Sequence, residues 1–177
     1  MADEQETFLS HLVELRDRLI RSLIAIGIVF VPLAFYAREL YSVLAAPLLA
    51  SLPAGGQMIA TDVVGVFLVP MKVALAVAFL TVLPYVLYQI WSFVAPGLYA
   101  HEKKLAVPLM IASVLLFFIG MAFAYFAFFP MVFGFMAKFA PDGVAWMTDI
   151  EKYFSFVLTM FLAFGVTFEV PVIVIVL

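Results

Sequence analysis

Four long apolar runs, separated by shorter polar stretches, set the plan of this chain. A membrane-spanning helix needs about 20 mostly apolar residues, and residues 20–36, 63–91, 105–129 and 154–177 come near that length or exceed it. As a helix the second run would reach about 43 Å, more than a hydrocarbon core of about 30 Å. Its outer end therefore projects beyond the bilayer, where Lys72 can snorkel to the interface. Pro70 and Pro84 interrupt the second run and predict bends there, while Pro32 lies inside the first run and Pro108 inside the third. The third run holds Gly120 and closes in the aromatic cluster Tyr125, Phe126, Phe128 and Phe129, just before Pro130.

The polar stretches supply the connections. Residues 1–19 form an amphipathic segment, because Phe8, Leu12, Leu15, Leu19 and Leu23 share one helical face. In residues 37–62, Leu40, Leu44, Leu48 and Leu49 keep helical spacing around Pro47, and "PAGG" breaks it; residues 130–153 are aromatic. Both segments suit short interfacial helices capping one face of the bundle. Residues 92–104 form a short polar loop. In "TDIE", Thr148 and Glu151 have capping-box spacing and mark the start of the last helix. That helix ends in "VIVIVL" without polar anchor, glycine cap or basic flank, which reads as a chain cut short. With no internal repeat and no soluble segment, the prediction is one all-α domain over 1–177, a polytopic integral membrane protein with kinked helices.

Composition narrows the function. The chain is 67% hydrophobic and 12% charged, with a mean hydropathy of +1.22, whereas soluble domains are roughly a quarter charged. A net charge of -3 without a dense basic patch argues against nucleic acid as a partner. Cysteine is absent, which removes disulfides, thiolate metal sites and thiol nucleophiles. The N-terminus opens with acids and lacks a basic leader and cleavage site, and no glycine follows Met1, so neither a secretory signal nor a lipid anchor is expected. Arg16, Arg18, Arg21, Lys103 and Lys104 flank one side of the spans, against Arg38, Lys138 and Lys152, with Lys72, on the other. The positive-inside rule then places the N-terminus and residues 92–104 in the cytoplasm, and residues 37–62 and 130–153 in the periplasm.

Enzyme chemistry finds no foothold. His11 and His101 are the only histidines, "HEKKL" lacks the second histidine of a zinc site, no GxSxG or P-loop occurs, and no pair of acids lies within the spans. No catalytic residue, metal or cofactor is expected.

Three carboxylates remain. Glu14 stands four residues before Arg18, and Asp17 four before Arg21. This spacing fits helix-surface ion bridges worth roughly 0.3 to 0.5 kcal/mol each, or a Glu14 that faces a ligand at the membrane surface. Glu102, in "PGLYAHEKK", is either a solvated turn residue offsetting Lys103 and Lys104 or a second ligand-facing carboxylate. Two carboxylates at one interface suit a ligand with two guanidinium groups, whose planar forks make charge-assisted hydrogen bonds that lysine does not reproduce. Glu169 lies within the last apolar run. A charge there costs about 2.5 to 3.5 kcal/mol even on an insertion scale. It fits either a neutral acid hydrogen-bonded to another helix, including backbone freed by Pro171, or a polar patch on a groove that meets partners.

The segments "HLVELRDRL", "APLL", "ATDV", "YQIWSFVAPGLYAHEKK", "GMAFAYFAFFP" and "AFGVTFEVP" resemble, in order and over essentially the whole chain, hallmark segments of the TatC family, core receptors of the twin-arginine protein translocase. The resemblance implies a curved, glove-like helical fold in the bacterial cytoplasmic (inner) membrane, and a receptor that binds twin-arginine signal peptides of folded cargo. It implies work with the single-span subunits TatB and TatA and with other TatC copies, driven by the proton-motive force. Carried over by position, it makes Glu14 and Glu102 the arginine-binding carboxylates. Arg16, Phe93, Pro96 and Leu98 would shape that site, Pro47 would have a structural role in the first outer loop, and Glu169 would lie on the concave face. The family resembles a six-span design, of which this chain supplies the first four.

Two other readings use the same residues. A proton-coupled carrier of a small solute, with Glu169 as relay, predicts a second buried ionisable group and paired broken helices, and the sequence shows neither. A structural membrane scaffold would be indifferent to charge reversal at Glu14 and Glu102.

Overall fold

The computed structural model describes residues 2–53, 56–94 and 103–176. It consists of six α-helices and two short strands: α1 (Ala2–Ala34), α2 (Ala37–Ser51), β1 (Met58–Ile59), α3 (Gly65–Val94), α4 (Lys103–Phe123), α5 (Phe129–Phe139), β2 (Thr148–Asp149) and α6 (Ile150–Val176). α1 joins the amphipathic segment and the first apolar run without a break. It stops two residues after Pro32, where the Phe35 and Tyr36 amides turn back onto the Pro32 and Leu33 carbonyls, and α2 leaves at 88°. By length and composition α3, the stretch 104–139 and α6 each qualify as a membrane span, whereas α1 qualifies only together with α2. The reason is the cluster Glu14, Arg16, Asp17, Arg18 and Arg21, which sits mid-helix and leaves only residues 22–34 uncharged before α1 ends.

The third apolar element passes Pro130 and continues to Phe139. Between α4 and α5 the helix widens into a π-helical turn, Ala124–Phe128, and Pro130 falls in the first turn of α5. A proline there lacks an amide that the local ladder does not need, so the chain widens rather than stops. Helix therefore occupies the first part of the segment 130–153, where the sequence suggested a short interfacial helix, as a continuation of the third apolar element.

The cap of α6 also differs from the sequence reading. Asp149, not Thr148, holds the helix start: its Oδ1 accepts the Glu151 amide at 2.8 Å and the Lys152 amide at 3.3 Å. Thr148 and Asp149 both pair with β1, and α6 starts at Ile150, which puts Asp149 at the cap position. Asp149 Oδ2 accepts the Thr61 amide at 3.1 Å and also the Thr61 hydroxyl. One carboxylate thus ties the connection after α2 to the start of α6. Lys72 adds an ion pair with Glu151 at 2.5 Å, both side chains half-exposed, so it has a partner where the sequence suggested a snorkelling cation.

α1 packs along α3 and α4 along α6, while α3 also touches α2, α4 and α6. The main core lies where α2, α5 and α6 meet, built from Ala45, Leu48, Ala124, Phe129, Phe133, Tyr153, Val157 and Phe161. A smaller cluster of Val69, Val73 and Phe154 joins α3 to α6. Gly120 and Gly165 set the spacing of α4 and α6: a Cβ on Gly120 would fall 2.7 Å from the Phe164 carbonyl oxygen, and one on Gly165 2.7 Å from the Phe117 ring. Elsewhere large apolar side chains such as Ile28, Leu115 and Ile175 face outward, as a lipid-facing surface requires.

Candidate functional site

The face of α1 that carries Glu14 lies against the last turns of α3. His11, Glu14, Arg18 and Ser22 follow one another at three- and four-residue spacing and therefore share this face. The His11 ring stacks on Phe93 with centroids 4.2 Å apart. Arg18 donates from Nε at 3.0 Å and from Nη2 at 2.6 Å to Glu14 Oε1, and from Nη1 at 3.0 Å to Gln89 Oε1 on α3. Ser22, buried, returns its hydroxyl to the Arg18 carbonyl at 3.0 Å. Next to this chain of contacts opens a cavity of about 290 Å³ lined by Ser10, Val13, Glu14, Asp17, Arg18 and Arg21.

The site residues named from sequence fare differently. Glu14 and Phe93 come to the same end of the α1–α3 pair. Arg16 turns aside to Asp17, at 2.9 Å, with its side chain 65% exposed; this replaces the Asp17–Arg21 bridge that the spacing allowed. Glu102, Pro96 and Leu98 lie outside the described residues. Pro47 is inside α2, half-buried. Glu169 sits on α6 with Oε1 buried and without a hydrogen-bond partner among the described residues, and the buried Ser113 of α4 is its polar neighbour.

Two participants escaped the sequence reading. Gln89 is 6% exposed, and a signal existed: it is a lone amide in an apolar run, one helical turn before Phe93. His11 was weighed only as a metal ligand, although its three-residue spacing from Glu14 puts it on the same face.

A match to the family described as "Sec-independent protein translocase protein (TatC)" covers residues 10–177. The chain belongs to the TatC family. Curated TatC relatives include the Sec-independent protein translocase proteins TatC of Azotobacter chroococcum mcd 1, 53% identical over 97% of this chain and 67% of the relative, and of Escherichia coli K12, 49% identical over 99% and 68%. The chain thus spans about two thirds of their length. Among solved structures, a crystal structure of the twin-arginine translocase receptor TatC in DDM superposes with a TM-score of 0.79 at 34% identity, covering 94% of this chain and 74% of that one. A second crystal structure of that receptor gives 0.76 at 37% identity, over 92% and 72%. As a TatC protein, the chain is a helical, multi-pass membrane protein of the Sec-independent translocase, and its family is not one of enzymes.

Proposed function

We propose that this chain is the signal-recognising receptor of the twin-arginine translocase in the bacterial inner membrane, with its N-terminus and residues 92–104 in the cytoplasm. It binds the paired arginines of signal peptides on folded cargo through Glu14 and Glu102, with Arg16, Phe93, Pro96 and Leu98 shaping the site. It then organises TatA, TatB and further TatC copies for export driven by the proton-motive force, without covalent chemistry of its own.

The observation that supports this reading is the half-exposed Glu14 carboxylate, beside a cavity and already engaged by a guanidinium. A charge-assisted hydrogen bond contributes roughly 1.5 to 3 kcal/mol net. Salt screens such contacts at a surface, so an apolar contact must supplement them, and the proposed source is Trp91 and Phe93 at the end of α3.

The test is binding of a twin-arginine signal peptide to the detergent-solubilised chain, against its twin-lysine variant and against Glu14→Gln and Glu102→Ala. Preference for arginine, lost in both variants, is the expected result. Equal binding of both peptides by the unaltered chain would overturn the reading.

A further inference from the structure

The Glu14 carboxylate does not wait unoccupied. We propose that Arg18 is an internal stand-in for the incoming arginine: it holds Glu14 through the same guanidinium fork that a ligand would present, and binding begins with its displacement. This deepens the receptor reading and rests on it.

Both Arg18 donors converge on Glu14 Oε1, and Oε2 has no partner among the described residues. An arriving guanidinium can therefore land on Oε2 before Arg18 leaves, so the carboxylate need never be bare. Gln89 gives the displaced side chain a place to stay, since Nη1 already donates to its amide oxygen at 3.0 Å. A neutral acceptor suits this role, because it satisfies a guanidinium without competing for the ligand's charge. Arg18 is also the one arginine of its cluster with a shielded side chain, 22% exposed against 65% for Arg16. Arg16 is committed to Asp17, and Arg21 is exposed on the rim of the cavity. Glu14 stands four residues N-terminal to Arg18, the favourable order for a helical pair.

An internal competitor reduces apparent affinity by the fraction of molecules in which Glu14 is free, and that fraction is the same for every ligand that needs Glu14. Arg18 thus sets a threshold for all peptides rather than the choice between arginine and lysine. Its removal tightens both without changing their ratio, whereas a residue that shaped recognition would change the ratio.

The experiment measures dissociation constants of twin-arginine and twin-lysine signal peptides for the unaltered chain, Arg18→Gln, Arg18→Lys and Gln89→Leu, with circular dichroism to confirm folding. Arg18→Gln is expected to tighten both peptides about tenfold, the factor for losing one modest charge-assisted competitor. Arg18→Lys, which keeps the charge but loses the fork spanning Glu14 and Gln89, tightens both by less, whereas Gln89→Leu, which removes the acceptor that keeps displaced Arg18, weakens both without changing their ratio. Unchanged or weaker binding by folded Arg18 variants overturns the inference and leaves the receptor reading standing. Tightening by Arg18→Gln alone would also overturn it, since net charge and not occupancy would then be the cause. If the unaltered chain shows no arginine preference, both fall. Should Arg18→Gln fail to fold, Arg18→Lys and Gln89→Leu carry the test.

Discussion

The Tyr125 hydroxyl donates to the Val43 carbonyl at 2.6 Å, and Val43 is the residue whose helical acceptor role Pro47 has emptied. Pro47 lies four residues further along α2 and has no amide to give back. Tyr125 comes from the π-helical turn between α4 and α5, so the widened turn delivers a donor to the α2 carbonyl that Pro47 leaves without its helical partner. Beside it, Tyr153 donates to the Leu44 carbonyl at 2.8 Å.

Tyr125→Phe should therefore cost about 1 kcal/mol, the usual scale for a net hydrogen bond between helices of a membrane protein. In a Pro47→Ala background position 47 regains an amide for Val43, and the same Tyr125→Phe change should cost less than half as much. Unfolding midpoints of the four proteins in detergent measure the coupling. Equal costs in both backgrounds would show that Tyr125 acts by packing alone.

Gly120→Ala should destabilise the α4–α6 pair by about 1 to 3 kcal/mol, because the new methyl meets backbone rather than a side chain that can turn away. Gly134→Ala is the internal control: nothing lies within 4 Å of its ideal Cβ, and helix propensity favours alanine by about 1 kcal/mol. Thermal unfolding of the two variants should move in opposite directions.

The outer connection should loosen in acid. The Thr61 hydroxyl, with the backbone amides of Glu151 and Thr61, lowers the Asp149 carboxyl from 3.8 to about 2. A group whose pKa is depressed by folding stabilises the folded state above its unfolded value. That contribution is whole above about pH 4 and disappears as pH falls through about 2. Asp149→Asn should flatten this part of the stability profile, and hydrogen exchange at the Glu151 and Lys152 amides would report the release locally.

The apolar runs showed where the helices are, because a long hydrophobic stretch has few alternatives. What they hid was set by partners distant in sequence. Pro130 reads as punctuation until the wider turn before it absorbs the missing amide. Thr148 and Asp149 are equally good cap residues in sequence, and only the helix start at Ile150, directly after Asp149, decides between them. Glu14 was legible with Arg18 from spacing, but the third member, Gln89, depends on how α1 crosses α3. No local pattern encodes that crossing.

Glu169 supplies the last prediction. Its Oε1 is buried and unpartnered among the described residues, and an unsatisfied buried polar atom costs about 1 to 3 kcal/mol. Removing it should help the chain on its own, so Glu169→Met is expected to raise the unfolding midpoint in detergent by about 1 kcal/mol equivalent. A chain that keeps so costly an atom has a use for it elsewhere, and the proposed use is a polar contact with a neighbouring subunit on the side of α6 where Glu169 lies beside Ser113 of α4. Glu169→Met should then recover less TatA and TatB on co-purification, and Glu169→Gln, which keeps a hydrogen-bonding side chain, should recover more than Glu169→Met. If Glu169→Met instead lowers the midpoint, the acid is held internally by Ser113 and serves α4–α6 packing, and the subunit contact must be sought elsewhere.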